Sequence, residues 1–257
     1  MNPRAGQHAL ITGGGKGIGA AVAKALVGDG AQVTLLGRSR APLVATALAL
    51  ELDPERHVVF ADVTEPEQVT QAFDEAHKRH GTIDILVNNA GQALSAPFMR
   101  TDSKLWHQLI DVNLTGAYYC IQAVLPGMRA AGGGRIINMA STAGLKGYAY
   151  VAAYCASKHG LVGLTRALAI ELASTGITVN AVCPGYTDTE LVADAVAAIV
   201  AKTGRSEAEA LAELVAHNPQ QRLISPEEIA ATVRWLCSDD ASSITGQSIA
   251  IAGGEIM

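Results

Sequence analysis

Residues 12–19 read TGGGKGIG, directly after the apolar run His8 to Ile11 and at the start of an amphipathic stretch at 17–29. Glycines let a backbone turn tightly and approach a pyrophosphate, and the N-terminus of the following helix offers free N–H groups and a positive dipole to that anion. The glycines are spaced G-x-x-x-G-x-G rather than G-x-G-x-x-G. In this position the stretch predicts a dinucleotide-binding loop. Its candidate cofactor-binding residues are Gly13, Gly15, Lys16, Gly17, Ile18 and Gly19.

Short apolar runs alternate with longer amphipathic stretches along the rest of the chain. The runs are rich in Val, Ile and Leu without polar alternation, which is typical of strands covered on both faces. Alternating strands and helices predict right-handed crossovers and a parallel sheet between helices. We therefore predict an α/β fold, a doubly wound Rossmann domain with seven parallel strands. The predicted strands are His8 to Ile11, Gln32 to Leu36, His57 to Ala61, Ile85 to Asn88, Arg135 to Met139, Ile177 to Val182 and Ser248 to Ile251, and the predicted helices cover about 17–29, 40–52, 65–80, 102–130, 151–173 and 226–238.

No linker, repeat or low-complexity stretch divides the chain, so one domain is expected over residues 1–257. The alternation is interrupted at 186–224, where the helical patterns Leu191 to Val200 and Glu207 to His217 precede a loop that contains Pro219. Long excursions at the carboxyl edge of such a sheet usually cover a ligand. Residues 186–224 are therefore predicted to be a helical substrate lid.

The composition excludes several classes of protein. Hydrophobic residues make up 49% and charged residues 17%, which favours a large core over disorder. The net charge of −5 gives no support for a nucleic-acid or membrane-surface partner, since either would favour a basic face. No signal peptide or spanning run is visible. The four cysteines form no CxxC pair and the seven histidines no HExxH. We expect a cytoplasmic protein with reduced thiols, a small-molecule substrate and no metal, nucleic-acid or membrane partner.

The second predicted strand ends in Gly37-Arg38-Ser39-Arg40. A carboxylate at this point would bind the adenosine 2′-hydroxyl of NAD, whereas an arginine would accept the 2′-phosphate of NADP. Arg38, together with Lys16, could hold that dianion by charge-assisted hydrogen bonds. The residues therefore favour NADP(H), with NAD(H) possible if Arg38 is only a surface residue at a helix start.

Tyr154 and Lys158 are four residues apart on a predicted helix, so their side chains leave the same face. A free tyrosine titrates too high to act as a base at neutral pH. A lysine cation about 4 Å away, at an effective dielectric of about 20, favours the phenolate by roughly 4 kcal/mol. Such a pair alone is common on amphipathic helices.

Other polar residues are predicted at the same place. Ser141 follows the fifth strand and Asn88-Asn89-Ala90-Gly91 follows the fourth, at the carboxyl edge where open sheets bind ligands. Asn113 lies inside a predicted helix, which is a poor position for asparagine unless its side chain or the local backbone is employed.

These motifs resemble, in order and spacing, those of the short-chain dehydrogenase/reductase family, and the resemblance covers essentially the whole chain. The motifs are TGGGKGIG at 12–19, Asp62-Val63, NNAG at 88–91, Asn113-Leu-Thr-Gly, Ser141, Tyr154-Cys-Ala-Ser-Lys158 and Pro184-Gly185. The resemblance implies an NAD(P)-dependent enzyme in which Tyr154 exchanges a proton with the carbinol oxygen and Ser141 hydrogen-bonds that oxygen. It implies that Lys158 lowers the tyrosine pKa and binds the nicotinamide ribose, and that Asn113 holds a water in a proton relay.

The resemblance also extends the cofactor site and implies an assembly. It implies that Asp62 and Val63 contact the adenine and that Asn89, Ala90 and Gly91 line the adenosine side. Thr187, after Pro184-Gly185, is implied to contact the nicotinamide carboxamide. The long helices at 102–130 and 151–173 pair across subunits in the family, which implies a homotetramer, although their small residues could equally serve packing within one subunit.

Residues 154–194 resemble the branch of the family that reduces 3-oxoacyl thioesters and polyketides. The 186–224 pattern and NPQQRLISPEEIA also resemble 3-hydroxybutyrate dehydrogenases, so a catabolic NAD-dependent 3-hydroxyacyl-CoA or 3-hydroxybutyrate dehydrogenase is the alternative. Between Ser141 and Tyr154, however, Lys146 is the only cation, which argues against a small free acid. A dinucleotide-binding regulator and an epimerase or dehydratase are more distant alternatives. The candidate substrate-lining residues are Leu94, Leu145, Tyr148, Tyr186, Leu191 and Val192.

Overall fold

The computed structural model describes residues 3–256, which are organised around one parallel sheet. Its strand order is β3-β2-β1-β4-β5-β6-β7, with every neighbouring pair parallel. The order reverses between β1 and β4, so a crevice opens beyond the carboxyl ends of these two strands. The predicted fold class is confirmed. The strands are β1 (His8–Thr12), β2 (Gln32–Gly37), β3 (Val58–Phe60), β4 (Ile85–Asn88), β5 (Gly134–Met139), β6 (Ile177–Pro184) and β7 (Ser248–Ile251).

Helices cover both faces of the sheet. Successive strand residues point to opposite faces, so Ile11 packs in one apolar cluster with α1, α2 and α10, and Leu10 packs in the other with α4, α6 and α7. This two-sided burial explains why the strands carry no polar alternation. The helices are α1 (Gly17–Gly28), α2 (Arg40–Ala49), α3 (Pro54–His57), α4 (Pro66–His80), α5 (Ser103–Ile110), α6 (Gly116–Ala131), α7 (Ala152–Leu172), α8 (Glu190–Thr203), α9 (Glu207–Val215) and α10 (Pro226–Leu236).

Two predicted elements differ in detail from the structure. The helix predicted over 102–130 is continuous from α5 to α6, but a π-helical turn at Asp111–Thr115 lies between these two α-helical parts. The third strand is shorter than predicted, because Pro54–His57 forms a helical turn whose N-cap, Asp53, accepts a hydrogen bond from the Glu55 N–H.

The two ends of the segment 186–224 lie next to each other in the structure. Thr187 and Ile224 form an isolated parallel bridge. The Asp188 N–H donates to the Ile224 carbonyl, and the Ile224 N–H donates to the Tyr186 carbonyl, both at 2.9 Å. Helices α8 and α9 therefore form an excursion whose two ends are fastened together beside the end of β6.

Within residues 3–256, no helix is long and apolar enough to cross a membrane, and no group of three His, Cys, Asp or Glu side chains is placed to hold a metal ion. All four cysteines are free thiols; Cys155 is half-buried, and the other three are buried.

Three histidines cluster at the opposite edge of the sheet from the glycine loop. The His80 ring centroid lies 5.3 Å from that of His8 and 4.6 Å from that of His57. His8 is 1% exposed; its Nδ1 lies 3.0 Å from the Gly81 carbonyl and its Nε2 2.9 Å from Thr34 Oγ1. Because a carbonyl only accepts, Nδ1 carries the proton. The His8 pKa is lowered to about 4, mainly by burial; the Gly81 hydrogen bond partly offsets this effect, and the neighbouring histidines add to it.

We expect this cluster to make the fold sensitive to acid. The unfolded chain protonates His8 below its ordinary pKa of 6.5, whereas the folded chain protonates it only near 4. Stability is therefore lost as the pH falls through this interval, by about 2 kcal/mol at pH 5, and the melting temperature should fall by roughly 5 °C. His8→Gln should remove much of that loss in melting curves at pH 7.5 and pH 5. The control, His107→Gln, changes an exposed histidine; equal acid sensitivity of both variants would contradict the assignment.

Candidate active site

The glycine loop after β1 is fastened to the loop after β4. Thr12 Oγ1 accepts the N–H groups of Asn89 and Ala90, each at 2.9 Å. The Asn89 amide Nδ2 donates to the carbonyls of Thr12 at 3.0 Å and Gly13 at 3.2 Å. The two loops at the crevice are thus held as one surface, and Gly13, with a φ of 64°, occupies the left-handed conformation that glycine adopts most readily.

The loop has the features that a pyrophosphate requires. A Cβ added to Gly19 would lie 2.3 Å from the Gly13 carbonyl oxygen, so only glycine lets the helix come this close to the loop. The N-cap of α1, Lys16, makes no side-chain hydrogen bond to the first N–H groups of the helix. These donors therefore remain free for an anion at a helix N-terminus. The predicted loop residues fit a dinucleotide.

Gly19→Ala should abolish dinucleotide binding, because its Cβ would displace both the Gly13 carbonyl and the Asn89 amide that fastens the two loops. We expect the Kd measured by nicotinamide fluorescence to rise at least about 100-fold, since even misplacements of about 1 Å are costly in preorganised sites. Gly28→Ala is the matched control in the same helix, because an added Cβ there meets no atom within 4 Å. Unchanged affinity in Gly19→Ala would refute the assigned close approach.

A cavity of about 160 Å³ lies beside this loop, at the ends of β2 and β3. Arg38 Nη1 lies 3.3 Å from Asp62 Oδ2, and Thr64 donates to Asp62 Oδ1 from its N–H at 3.0 Å and its hydroxyl at 2.8 Å. Burial alone raises the Asp62 pKa, but the Thr64 hydrogen bonds and the Arg38 cation outweigh it and lower that pKa below its usual value. The lining residues are Gly13, Gly37, Arg38, Ala61, Asp62, Val63, Ala90, Gly91, Gln92 and Val112.

Lys16 is placed differently from the other predicted loop residues. Its Nζ lies 2.5 Å from Glu190 Oε2 at the start of α8, and Lys16 does not line the cavity that contains Arg38. Both side chains of this pair are more than half exposed. The predicted joint grip of Arg38 and Lys16 on a phosphate is therefore not present in this arrangement.

The side chains of Asn113 and Lys158 converge on Gly91. A Cβ added to Gly91 would lie 2.8 Å from Asn113 Oδ1 and 3.6 Å from Lys158 Nζ. Asn113 Oδ1 accepts the Gln92 N–H at 2.9 Å, and its Nδ2 donates to the Gln92 carbonyl at 2.9 Å and to Ser157 Oγ at 3.2 Å. Asn113 thus lies in the π-helical turn, and its side chain bonds to the Gln92 backbone and to Ser157. Its unfavourable position inside a helix predicted such a special use of the side chain or of the local backbone.

Ser141 and Tyr154 approach the same point from β5 and α7. Ser141 Oγ accepts the Ala143 N–H at 3.1 Å and caps the 3₁₀ turn Thr142–Gly144. Tyr154 lies in the first turn of α7 and is close enough to Ser141 for a side-chain hydrogen bond. One turn further along, Lys158 Nζ donates to the Met139 carbonyl at 2.8 Å.

Burial shifts the pKa values of Tyr154 and Lys158 in opposite directions. Burial raises the pKa of Tyr154, and the Ser141 hydrogen bond only partly offsets it. Burial also lowers the pKa of Lys158 to about 8. Lys158 Nζ lies 5.7 Å from the Tyr154 ring centroid and donates to the Met139 carbonyl, and the effect of Lys158 on the tyrosine pKa stays a prediction.

The predicted substrate-lining residues occupy different environments. Val192 is buried, whereas Leu94 and Leu191 are 41% and 50% exposed. Leu145 packs partly buried in a cluster beside α7. Tyr148 and Tyr186 are half-buried.

The turn after β6 is locally ordered by Thr187, whose hydroxyl donates to the Gly185 carbonyl at 2.9 Å. Several groups at the site carried no predicted role. They are Thr12, Gln92, Ser157, the Met139 carbonyl and Glu190. Thr12, Gln92 and Ser157 lie within or next to the quoted motifs, whereas Met139 and Glu190 carry no comparable sequence signal.

Known proteins are similar to this chain over almost its whole length. Residues 13–255 match the family model described as Enoyl-(Acyl carrier protein) reductase. The Monensin polyketide synthase putative ketoacyl reductase of Streptomyces virginiae is 42% identical, over 99% of this chain and 98% of its own length. The D-beta-hydroxybutyrate dehydrogenase of Rhizobium meliloti is 35% identical, over 96% and 97%. A crystal structure of a variant actinorhodin polyketide ketoreductase with NADPH is 35% identical and superposes with a TM-score of 0.92, covering 99% of this chain and 98% of that one.

Proposed function

This chain belongs to the short-chain dehydrogenase/reductase family and is an oxidoreductase, and we propose that it reduces the ketone of 3-oxoacyl-type substrates with NADPH. The observation that carries this proposal is the convergence of Asn113, Ser141, Tyr154 and Lys158 at the crevice, beside a glycine loop that only glycine can form. A dinucleotide-binding regulator would not need such a set. A reductase needs each of its members.

The chain's own residues manage the proton. Tyr154 donates its hydroxyl proton to the oxygen of the substrate carbonyl, and Ser141 hydrogen-bonds the same oxygen and positions it. Lys158, held by the Met139 carbonyl, would bind the nicotinamide ribose. Asn113, fixed by the Gln92 backbone, would order a water that returns protons from solvent toward Lys158. When bound, the nicotinamide supplies the hydride.

The protonation states suit reduction. The raised pKa keeps Tyr154 protonated at neutral pH, and a protonated hydroxyl is the form that can act as a general acid. The pKa of Lys158, lowered by burial to about 8, lets this side chain exchange protons near physiological pH. The directions of both pKa shifts fit a site that delivers a proton to a developing alkoxide.

Arg38 supports the choice of NADP(H) over NAD(H). Its guanidinium lines the cavity at the end of β2, where a ribose 2′-phosphate would lie, and Asp62, the acidic residue there, is already paired with it. The related actinorhodin ketoreductase was crystallised with NADPH. Asp62, Val63 and the Asn89 to Gly91 segment would then contact the adenosine, and Pro184, Gly185 and Thr187 the nicotinamide.

The relatives named as ketoacyl reductases support a 3-oxoacyl substrate, and the relative named as a hydroxybutyrate dehydrogenase supports the alternative, oxidation of a 3-hydroxy acid. Our proposal includes a single catalytic domain over 1–257, residues 186–224 as its substrate lid, a homotetramer and a cytoplasmic location. The fastened ends of the excursion and the contact of Lys16 with Glu190 support the lid.

Initial rates with NADPH and NADH test the proposed function. A panel should contain ethyl acetoacetate, an acetoacetyl thioester and unactivated ketones, with the matching alcohols in the reverse direction. We expect the thioester and ester to be reduced faster than simple ketones, with NADPH preferred. Oxidation of 3-hydroxybutyrate by NAD as the fastest reaction would support the alternative and refute the proposal.

A further inference from the structure

A buried carboxylate from the C-terminal segment lies against the loop between Ser141 and Tyr154. The Glu255 side chain is 2% exposed, and its Oε1 lies 3.0 Å from Lys146 Nζ. The Tyr148 hydroxyl lies 2.6 Å from the same oxygen and 2.7 Å from Thr142 Oγ1. Because an ionised carboxylate only accepts, Tyr148 donates to Glu255 and accepts from Thr142. The carboxylate therefore holds the loop by one ion pair and one charge-assisted hydrogen bond.

Glu255 lies next to Tyr148, a candidate substrate-lining residue, and next to the turn after β6. Its Oε2 lies 3.4 Å from where a Cβ of Gly185 would be. Its negative charge adds to the effect of burial in raising the pKa of Tyr186. Tyr186 in turn contributes to raising the pKa of Tyr154. Of the candidate substrate-lining residues, Tyr148 thus hydrogen-bonds this carboxylate, and the pKa of Tyr186 responds to its charge.

The ion pair between Glu255 and Lys146 neutralises the positive charge that a substrate would otherwise meet on this loop. Lys146 is the only cation in the 142–153 loop, and its ammonium also lies 4.8 Å from the Tyr148 ring centroid. A free substrate carboxylate would need this cation as its partner. A substrate that drew Lys146 away would leave the buried Glu255 carboxylate without its cation, which is a costly state. A neutral ester or thioester makes no such demand.

We propose that Glu255 is a specificity-determining residue, which engages Lys146 and Tyr148 so that the site rejects 3-oxo acids with a free carboxylate and accepts their neutral esters and thioesters. This inference rests on the proposed function, since it concerns the substrate of the same site. It assigns the selection to a residue that is not among the groups proposed to move the proton.

The test is the ratio of kcat/KM for acetoacetate to that for ethyl acetoacetate, measured with NADPH. Glu255→Gln keeps the shape of the side chain but frees Lys146, so this acid-to-ester ratio should rise at least tenfold. Adding Lys146→Gln to that variant should return the ratio to near the wild-type value. Glu75→Gln, which changes an exposed carboxylate on α4, is the matched control and should leave the ratio unchanged.

Lys146→Gln alone gives a second measurement that does not depend on Glu255→Gln folding. It leaves Glu255 without its cation, so the acid-to-ester ratio should fall. A purely structural role would lower kcat/KM for both substrates in proportion and leave the ratio fixed. That result, in variants with normal melting curves and NADPH binding, would overturn the inference and leave the proposed function standing. Failure of the wild-type enzyme to reduce either substrate would overturn both.

Discussion

Tyr154→Phe should lower kcat about 1,000-fold while the Kd for NADPH stays within about twofold of the wild-type value. The substitution removes only the hydroxyl that donates the proton, and positioned general acids contribute about 10²- to 10⁴-fold to rate. The ring, half-buried in the first turn of α7, keeps its packing. Single-turnover rates with NADPH and ethyl acetoacetate, together with fluorescence titration of NADPH, measure the two quantities separately.

Tyr150→Phe is the matched control for this experiment. Tyr150 lies on the loop that leads into α7, 67% exposed, and its carbonyl accepts the Ala96 N–H, a contact that the substitution leaves intact. We expect wild-type kcat and stability for this variant. Turnover retained in Tyr154→Phe would refute the role assigned to the hydroxyl, and equal losses in both variants would show that the loop rather than the hydroxyl matters.

Arg38→Asp should reduce the preference for NADPH over NADH, expressed as the ratio of kcat/KM values, by about 100-fold or more. The change removes hydrogen bonds to a charged group, worth about 1.5–3 kcal/mol each, and places a like charge near the 2′-phosphate. Arg38→Gln, which adds no negative charge beside Asp62, should shift the ratio in the same direction by at least about tenfold. Initial rates at varied cofactor concentration measure both ratios.

Arg40→Asp makes the same charge change two residues away. The Arg40 guanidinium lies 5.3 Å from the Phe60 ring centroid, and Arg40 does not line the adenosine cavity. We therefore expect the cofactor ratio of this control to change less than threefold. A wild-type enzyme that prefers NADH more than tenfold, or an unchanged ratio in Arg38→Asp, would refute the assignment of Arg38.

The fold was predictable because its signals are local and repeated. Each strand is buried on both faces, so its apolar run shows in the sequence without reference to distant residues. The glycine loop could also be predicted from the sequence. The close approach of Gly19 to the Gly13 carbonyl excludes every side chain, so the requirement shows directly as glycine. The order and spacing of the motifs then predicted that Ser141, Tyr154 and Lys158 lie together at the carboxyl edge of the sheet.

The parts that could not be predicted depend on contacts between distant residues. Nothing in Asp111–Thr115 except the placement of Asn113 distinguishes a π-helical turn from ordinary helix. The sequence predicts that Lys16 contacts a phosphate, but in the structure its ammonium group forms an ion pair with Glu190, 174 residues away in the sequence. Glu255 meets Tyr148 across 107 residues, so only the return of the chain after β7 brings its carboxylate to the substrate side. The pKa of Tyr154 likewise follows from burial, which the four-residue spacing to Lys158 does not encode.

The bridge between Thr187 and Ile224 has a consequence for how such enzymes diversify. Because the polypeptide departs from and rejoins the framework at adjacent points, insertions, deletions or wholesale replacement between those points need not disturb the register of β6 and β7. Evolution can therefore exchange the segment between Thr187 and Ile224 while the proposed catalytic residues stay in place. A protein engineer can do the same, by transplanting the intervening helices of a relative between these two residues.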